Sequence, residues 1–349
     1  MIKIETIVRS NILELKPYSS ARDEFKGKDG IFLDANENPF GILNRYPDPY
    51  QKELKQKLAS LKSVTPNNIF VGNGSDEVID LAFRIFCNPG FDKALTFSPT
   101  YGMYDVSAAI NNVELLKLPL NKSFQINLKK MTPYFKDSNI KLVFICSPNN
   151  PTGNLINKSD IEFILDNFKG IVIIDEAYID FAQGKSLINL LNQYNNLIVS
   201  QTFSKAWGLA AARVGMAFAN EEIISLYNKI KPPYNVSELN QKAAINALIN
   251  PSRFKNNLNK IRAAKRQLKT DLQQLDLVKK IYPSDANFLL IEVDNAHDIY
   301  TTLVNQKIIT RNRNKQVRNC IRVSVGTPEE NNRLITTLKK CDEKGIIYR

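Results

Sequence analysis

Lys205 closes the run Thr202-Phe203-Ser204-Lys205, and Arg213 follows eight residues later across a glycine and a series of small residues. Residues 195–200, just before, read as a short buried strand. A lysine at the end of a buried strand must have its charge paired, neutralised or used, because burial penalises the ammonium form. A neutral amine attacks carbonyl carbon and takes up protons. The chemistry on offer at Lys205 is therefore imine formation coupled to proton transfer.

Such an amine is most useful beside a ring that absorbs electrons, as pyridoxal phosphate does. That ring needs an acid facing its nitrogen, donors to its ring oxygen, a phosphate cradle and a flat group over its face. Asp175 ends the apolar run at 171–174 and is the candidate acid, since an unpartnered carboxylate there would be expensive. Tyr178 and Asn150 are candidates for the ring oxygen, against plainer readings as a core tyrosine and a turn asparagine. Tyr101 is the candidate stacking group, or else a loop aromatic. For the phosphate, Gly74, Ser75 and Asp76 offer backbone N–H groups and a hydroxyl, with Ser75 a possible helix cap. Thr202 and Ser204 add hydroxyls, and Arg213 adds a charged fork. Alanines around Arg213 argue against its being a surface residue.

The elements that would position these groups alternate. Apolar runs at 68–71, 93–97, 113–118, 142–146, 171–174 and 214–219 read as strands. Helical patterns lie between several of them, as at 50–61 and 158–168, and polar motifs stand at the strand C-termini. This is the pattern of an α/β fold: a mostly parallel sheet covered by helices, with its ligand at the strand ends. Residues 31–33 read as a further short strand running into a loop with prolines. A glycine-rich turn at 72–74 suggests a nucleotide fingerprint, but the position of a third glycine is Glu77. The expected organisation is an N-terminal arm at 1–30, a large domain at 31–250 and a smaller α+β domain at 251–349. In the last, strands are expected at 286–293, 308–310 and 320–325 and helices at 296–306 and 329–341.

Composition narrows the function classes. The chain has 349 residues and a formal charge of +12, from 47 basic and 35 acidic side chains. The basic residues are scattered rather than gathered in a tail or patch, which favours anionic small molecules over nucleic acid. No apolar run approaches the ~20 residues of a membrane span, and a cytoplasmic location is expected. The four cysteines are far apart and a single histidine is present, so neither a disulfide framework, a metal site nor a histidine-based triad is expected.

Taken together, SPNNPTG at 147–153, DEAY at 175–178 and Ser204-Lys205 followed by Arg213 resemble the fold type I aminotransferases, which use pyridoxal 5′-phosphate. LDANENPFG at 33–41, RYPDP at 45–49, PTYGMY at 99–104 and RVSVGT at 322–327 are similar to the histidinol-phosphate aminotransferase family. The resemblance covers nearly the whole chain, in order. It implies amino transfer between L-histidinol phosphate and 2-oxoglutarate, with Lys205 shuttling the proton. It also implies a homodimer with shared sites, in which Tyr46 reaches the cofactor phosphate of the other subunit. Arg322 is implied as the group that holds the substrate anion. Arg311 matches a second substrate arginine, with Arg313 a nearby competitor, and Tyr18 matches a tyrosine that helps close the site. An aromatic-amino-acid aminotransferase and a threonine-phosphate decarboxylase share the scaffold. A non-catalytic binding protein is disfavoured by the complete set Lys205, Asp175, Tyr178 and Arg213.

Overall fold

The computed structural model describes residues 2–18 and 30–343. Its larger sheet has seven strands in the order β1-β7-β6-β5-β4-β2-β3. They are β1 (Ile69–Gly72), β2 (Lys93–Ser98), β3 (Glu114–Pro119), β4 (Ile140–Cys146), β5 (Ile171–Asp175), β6 (Leu197–Thr202) and β7 (Gly215–Phe218). Pairing is parallel from β3 through β2, β4 and β5 to β6, while β7 runs antiparallel to both β6 and β1.

The central strands are continuous apolar runs because both of their faces are covered. Val143 and Ile145 of β4 pack with Leu54, Ile161 and Ile164, from the helices Lys52–Lys62 and Lys158–Asn167. Leu142 and Phe144 of the same strand point the other way. They meet Val78, Phe83 and Tyr227, from the helices Ser75–Phe86 and Glu221–Ile230. The period-two alternation of a strand thus feeds two separate cores. The parallel direction brings the C-terminal ends of β2, β4, β5 and β6 to one edge of the sheet, where Cys146 lies opposite Asp175 and Asp175 opposite Ser200.

A second sheet is antiparallel, in the order β10-β11-β9-β8. It comprises β8 (Val278–Ile281), β9 (Phe288–Val293), β10 (Arg311–Asn312) and β11 (Cys320–Ser324). One face packs Ile291, Ile321 and Val323 against the helices Ala296–Asn305 and Pro328–Glu343. A small cluster joins the two layers: Tyr178, Phe181 and Ala206 meet Leu258, Ala286 and Phe288. All four cysteines are buried, and no helix among the described residues is long and apolar enough to cross a membrane.

Three local expectations change. Residues 31–33 form no strand; Ile31 and Leu33 are almost fully exposed, so no described residue rewards their apolar pattern. Within the expected arm, Ile4, Val8 and Ile12 are buried in the core beneath the helix Ser75–Phe86, and the short helix Ser10–Glu14 carries the last of them. The short strand is Arg311–Asn312 rather than 308–310, set by its pairing with β11.

Candidate active site

Asp175 is the last residue of β5 and is 3% exposed. Its Oδ2 accepts a hydrogen bond from the Tyr104 hydroxyl at 2.9 Å, and its Oδ1 accepts from the Ala177 N–H at 3.1 Å. Burial pushes the carboxyl pKa up, and these two donors pull it back. Tyr178 turns its ring toward Lys205, whose Nζ lies 5.6 Å from the ring centroid, while Phe288 meets the same ring edge-on at 5.2 Å.

Lys205 is not held on a strand. β6 ends at Thr202, and Lys205 sits in the turn beyond it, open to the cavity. The expectation of a buried lysine is therefore corrected: the strand delivers the turn, and the turn presents the amine. The surrounding protein still lowers its pKa through desolvation first and the charge of Arg322 next, with Asp175 and Asp76 opposing.

The phosphate candidates gather around the start of the helix Ser75–Phe86. Gly74 is the N-cap, at φ 83° and ψ 166°, and no side chain caps the helix. Ser75 is the first helical residue rather than the cap, so its hydroxyl is not spent on the helix end. Arg213 reaches over this turn. Its Nη2 lies 3.4 Å from Asp76 Oδ2, and its Nη1 donates to Ser204 Oγ at 3.5 Å and to the Ala210 carbonyl at 3.3 Å. Contrary to expectation, Arg213 is half exposed, because its alanine neighbours form an open turn and not a core. Thr202 lines the cavity, but its hydroxyl donates to the Val214 carbonyl at 3.3 Å and accepts from the Ser204 N–H at 3.1 Å. It shapes the turn and has less to offer an anion. Tyr101 is half-buried and donates to Asp76 Oδ1 at 3.2 Å.

One cavity is lined by Ser75, Asp76, Tyr101, Asn150, Asp175, Tyr178, Thr202, Ser204, Lys205 and Arg213. Arg322 joins it by donating to Asn150 Oδ1, and its guanidinium lies 5.1 Å from the Phe288 ring centroid. Arg311 pairs directly across from Arg322. Arg313, two residues on, is on the same face of the sheet. Arg313 is partly buried, and burial with its two arginine neighbours lowers its pKa to about 10. Nε of Arg313 and Nε of Arg322 are buried with no hydrogen-bond partner among the described residues. Among the described residues the charges acting on Arg313 are those of Arg322 and Arg311, with no carboxylate among them. Arginines gathered without a counter-charge form a receptor for an anion.

Two predicted residues lie elsewhere. Tyr46 is half exposed and stacks on Tyr234 at 4.3 Å in a separate groove with Ala35, Asn38 and Arg45. Tyr18 is 71% exposed, in a groove beside Tyr50 and Tyr234. Two further residues were not foreseen. Tyr104 reaches Asp175, and Cys146 lines the cavity opposite it. The only sequence signal for Tyr104 was its place at the end of PTYGMY.

The donor set fits pyridoxal phosphate. A buried acid stands at one end, an uncapped helix start with an arginine at the other, and an amine between them. The cradle depends on missing side chains: a Cβ at Gly74 would lie 2.7 Å from Arg213 Nη2, and one at Gly215 would lie 2.2 Å from the Ser75 nitrogen.

This fold and this site define a class, and the chain belongs to the class I and II aminotransferase family, which it matches over residues 25–338. Members of that family depend on pyridoxal phosphate, and the protein is an aminotransferase. More particularly, it is 50% identical over 343 residues to the histidinol-phosphate aminotransferase of Cytophaga hutchinsonii, covering 96% of this chain and 98% of that one. Its fold is similar to that of the histidinol-phosphate aminotransferase from Clostridium acetobutylicum, with a TM-score of 0.80 at 24% identity over 89% of this chain and 98% of that one. It is also similar to the Sinorhizobium meliloti enzyme of that name in complex with pyridoxal-5′-phosphate. There the TM-score is 0.78 at 24% identity, over 89% of this chain and 90% of that one.

Proposed function

We propose that the protein is a histidinol-phosphate aminotransferase, moving the amino group of L-histidinol phosphate to 2-oxoglutarate to give imidazole acetol phosphate and L-glutamate. The observation that carries this reading is the group of arginines that meets no counter-charge among the described residues, Arg322 foremost, tied through Asn150 to the cavity that holds Lys205 and Asp175. Such a cluster suits a substrate with a phosphate or carboxylate at a distance from its amine.

Bound pyridoxal phosphate supplies a carbonyl for the amine and a ring that absorbs the electrons left at the substrate carbon. Asp175 keeps the ring nitrogen protonated, and Tyr178 and Asn150 donate to the ring oxygen. The N-terminus of the helix Ser75–Phe86, Ser204 and Arg213 hold the phosphate, and Tyr101 covers the ring. Lys205 takes the proton from the substrate carbon that bears the amine and later returns a proton. Its lowered pKa makes the neutral amine that such a base needs easier to reach. Arg322, with Arg313 or Arg311 beside it, orients the substrate through its anion.

The working form in this proposal is a cytoplasmic homodimer. Phe40, Ile42 and Leu43 are exposed beside Tyr46, an apolar surface suited to a second copy. In that dimer Tyr46 serves the neighbouring site.

The test is a set of spectral half-reactions of the cofactor-loaded protein with histidinol phosphate, phenylalanine and threonine phosphate. Fastest conversion with histidinol phosphate is expected. A clear preference for phenylalanine, or loss of carbon dioxide from threonine phosphate, would overturn the assignment.

A further inference from the structure

We infer that Tyr104 is a positioning residue for Asp175: its hydroxyl holds one carboxylate oxygen so that the acid stays ionised and aimed at the ring nitrogen of the bound cofactor. Tyr104 has no exposed surface and sits in the first turn of the helix Met103–Ile110. Its ring stacks on Phe144 of β4 with centroids 5.0 Å apart, and Tyr101 meets it edge-on at 5.7 Å. The hydroxyl is therefore the one polar end of an otherwise apolar plug, and it donates to Asp175 Oδ2 at 2.9 Å.

The arrangement matters because Asp175 is nearly dry. A carboxyl in such a place takes up a proton unless donors stabilise its charge, and a protonated acid cannot keep a pyridine nitrogen protonated. Tyr104 and the Ala177 N–H each hold one oxygen, which fixes the plane of the carboxylate and leaves lone pairs free toward the cavity. The other titratable groups facing it among the described residues are Asp76, Lys205, the Cys146 thiol and the hydroxyls of Tyr101 and Tyr178. Asp76 opposes ionisation and Lys205 favours it, both through space, whereas Tyr104 is the side chain that donates a hydrogen bond to the carboxylate.

The inference rests on the proposed placement of the ring against Asp175, and the experiment separates the two. Tyr104→Phe removes one oxygen and keeps the ring stack, whereas 3-fluorotyrosine at 104 keeps the shape and strengthens the donor. In the cofactor-free protein, the Asp175 carboxyl ¹³C signal should titrate higher in Tyr104→Phe and lower in the fluorinated protein than in wild type. In the loaded protein, pyridoxal phosphate labelled with ¹⁵N in the ring should report a protonated nitrogen in wild type and a neutral one in Tyr104→Phe. The same variant should lose about tenfold or more in kcat with KM within about twofold. Identical Asp175 titrations in all three proteins, or a ring that stays protonated in Tyr104→Phe, would overturn the role of Tyr104. A neutral ring nitrogen in wild type would instead overturn the placement of Asp175.

Discussion

Gly74→Ala should separate cofactor binding from folding. Gly74 lies at φ 83° and ψ 166°, a region of backbone space open essentially to glycine alone. An alanine there costs about 1–3 kcal/mol of strain. The new Cβ would also fall 2.7 Å from Arg213 Nη2. The atom it meets is the far end of a flexible, half-exposed side chain, so the guanidinium swings away and the fold survives. What is lost is the fork over the helix start. A charge-assisted hydrogen bond is worth about 1.5–3 kcal/mol, so the dissociation constant for pyridoxal phosphate should rise about 10- to 100-fold. Thermal unfolding of the cofactor-free protein and a fluorescence titration with pyridoxal phosphate measure the two parts separately. A lowered transition with unchanged cofactor affinity would refute the assignment of Arg213 to the phosphate.

Other outcomes follow from the same geometry. Asp175→Ala should bind cofactor weakly and lose at least about a hundredfold in turnover, and near-normal turnover would mean the ring lies elsewhere. Arg322→Gln should lower kcat/KM for histidinol phosphate about 10- to 100-fold. Steady-state kinetics of Arg311→Gln and Arg313→Gln then decide which arginine shares the load, with the larger loss expected for partly buried Arg313 over exposed Arg311. Lys55 is buried, and its pKa is lowered to about 8, first by desolvation and then by Lys231. The unfolded chain therefore binds more protons than the folded one between that value and the ordinary lysine pKa, and stability rises with pH across this window. Lys55→Met should stabilise the protein at pH 7 by up to about 3 kcal/mol, and denaturant titrations should show the advantage fading between about pH 8 and 10.5.

The sequence showed most plainly what the middle of the sheet requires. β4 and β5 are apolar through 142–146 and 171–174, and β6 through 197–199, because helices cover both faces, and the chemistry at their C-terminal ends followed from that direction. Where burial depends on distant chain, the reading failed. The alanines before Arg213 looked like core but form an exposed turn, with Arg213 itself in the left-handed region at φ 50°. Ile31 and Leu33 looked like a strand, yet no described residue covers them. Tyr104 carried no mark beyond its place in PTYGMY, because its bond to Asp175 spans 71 residues and links the helix that follows β2 to the end of β5, which only the folded sheet brings together. The arginine cluster was half visible. The family resemblance offered Arg311 with Arg313 as a rival, and only the register of β10 on β11 puts both on the face of Arg322.

At the centre of the account stands Lys205 as the amine that holds pyridoxal phosphate. Borohydride reduction of the cofactor-loaded protein, followed by peptide mapping, tests this most directly. A reduced pyridoxyl group on Lys205 is predicted. Loaded protein in which Lys205 is unlabelled, with the group on another lysine or on none, would contradict it.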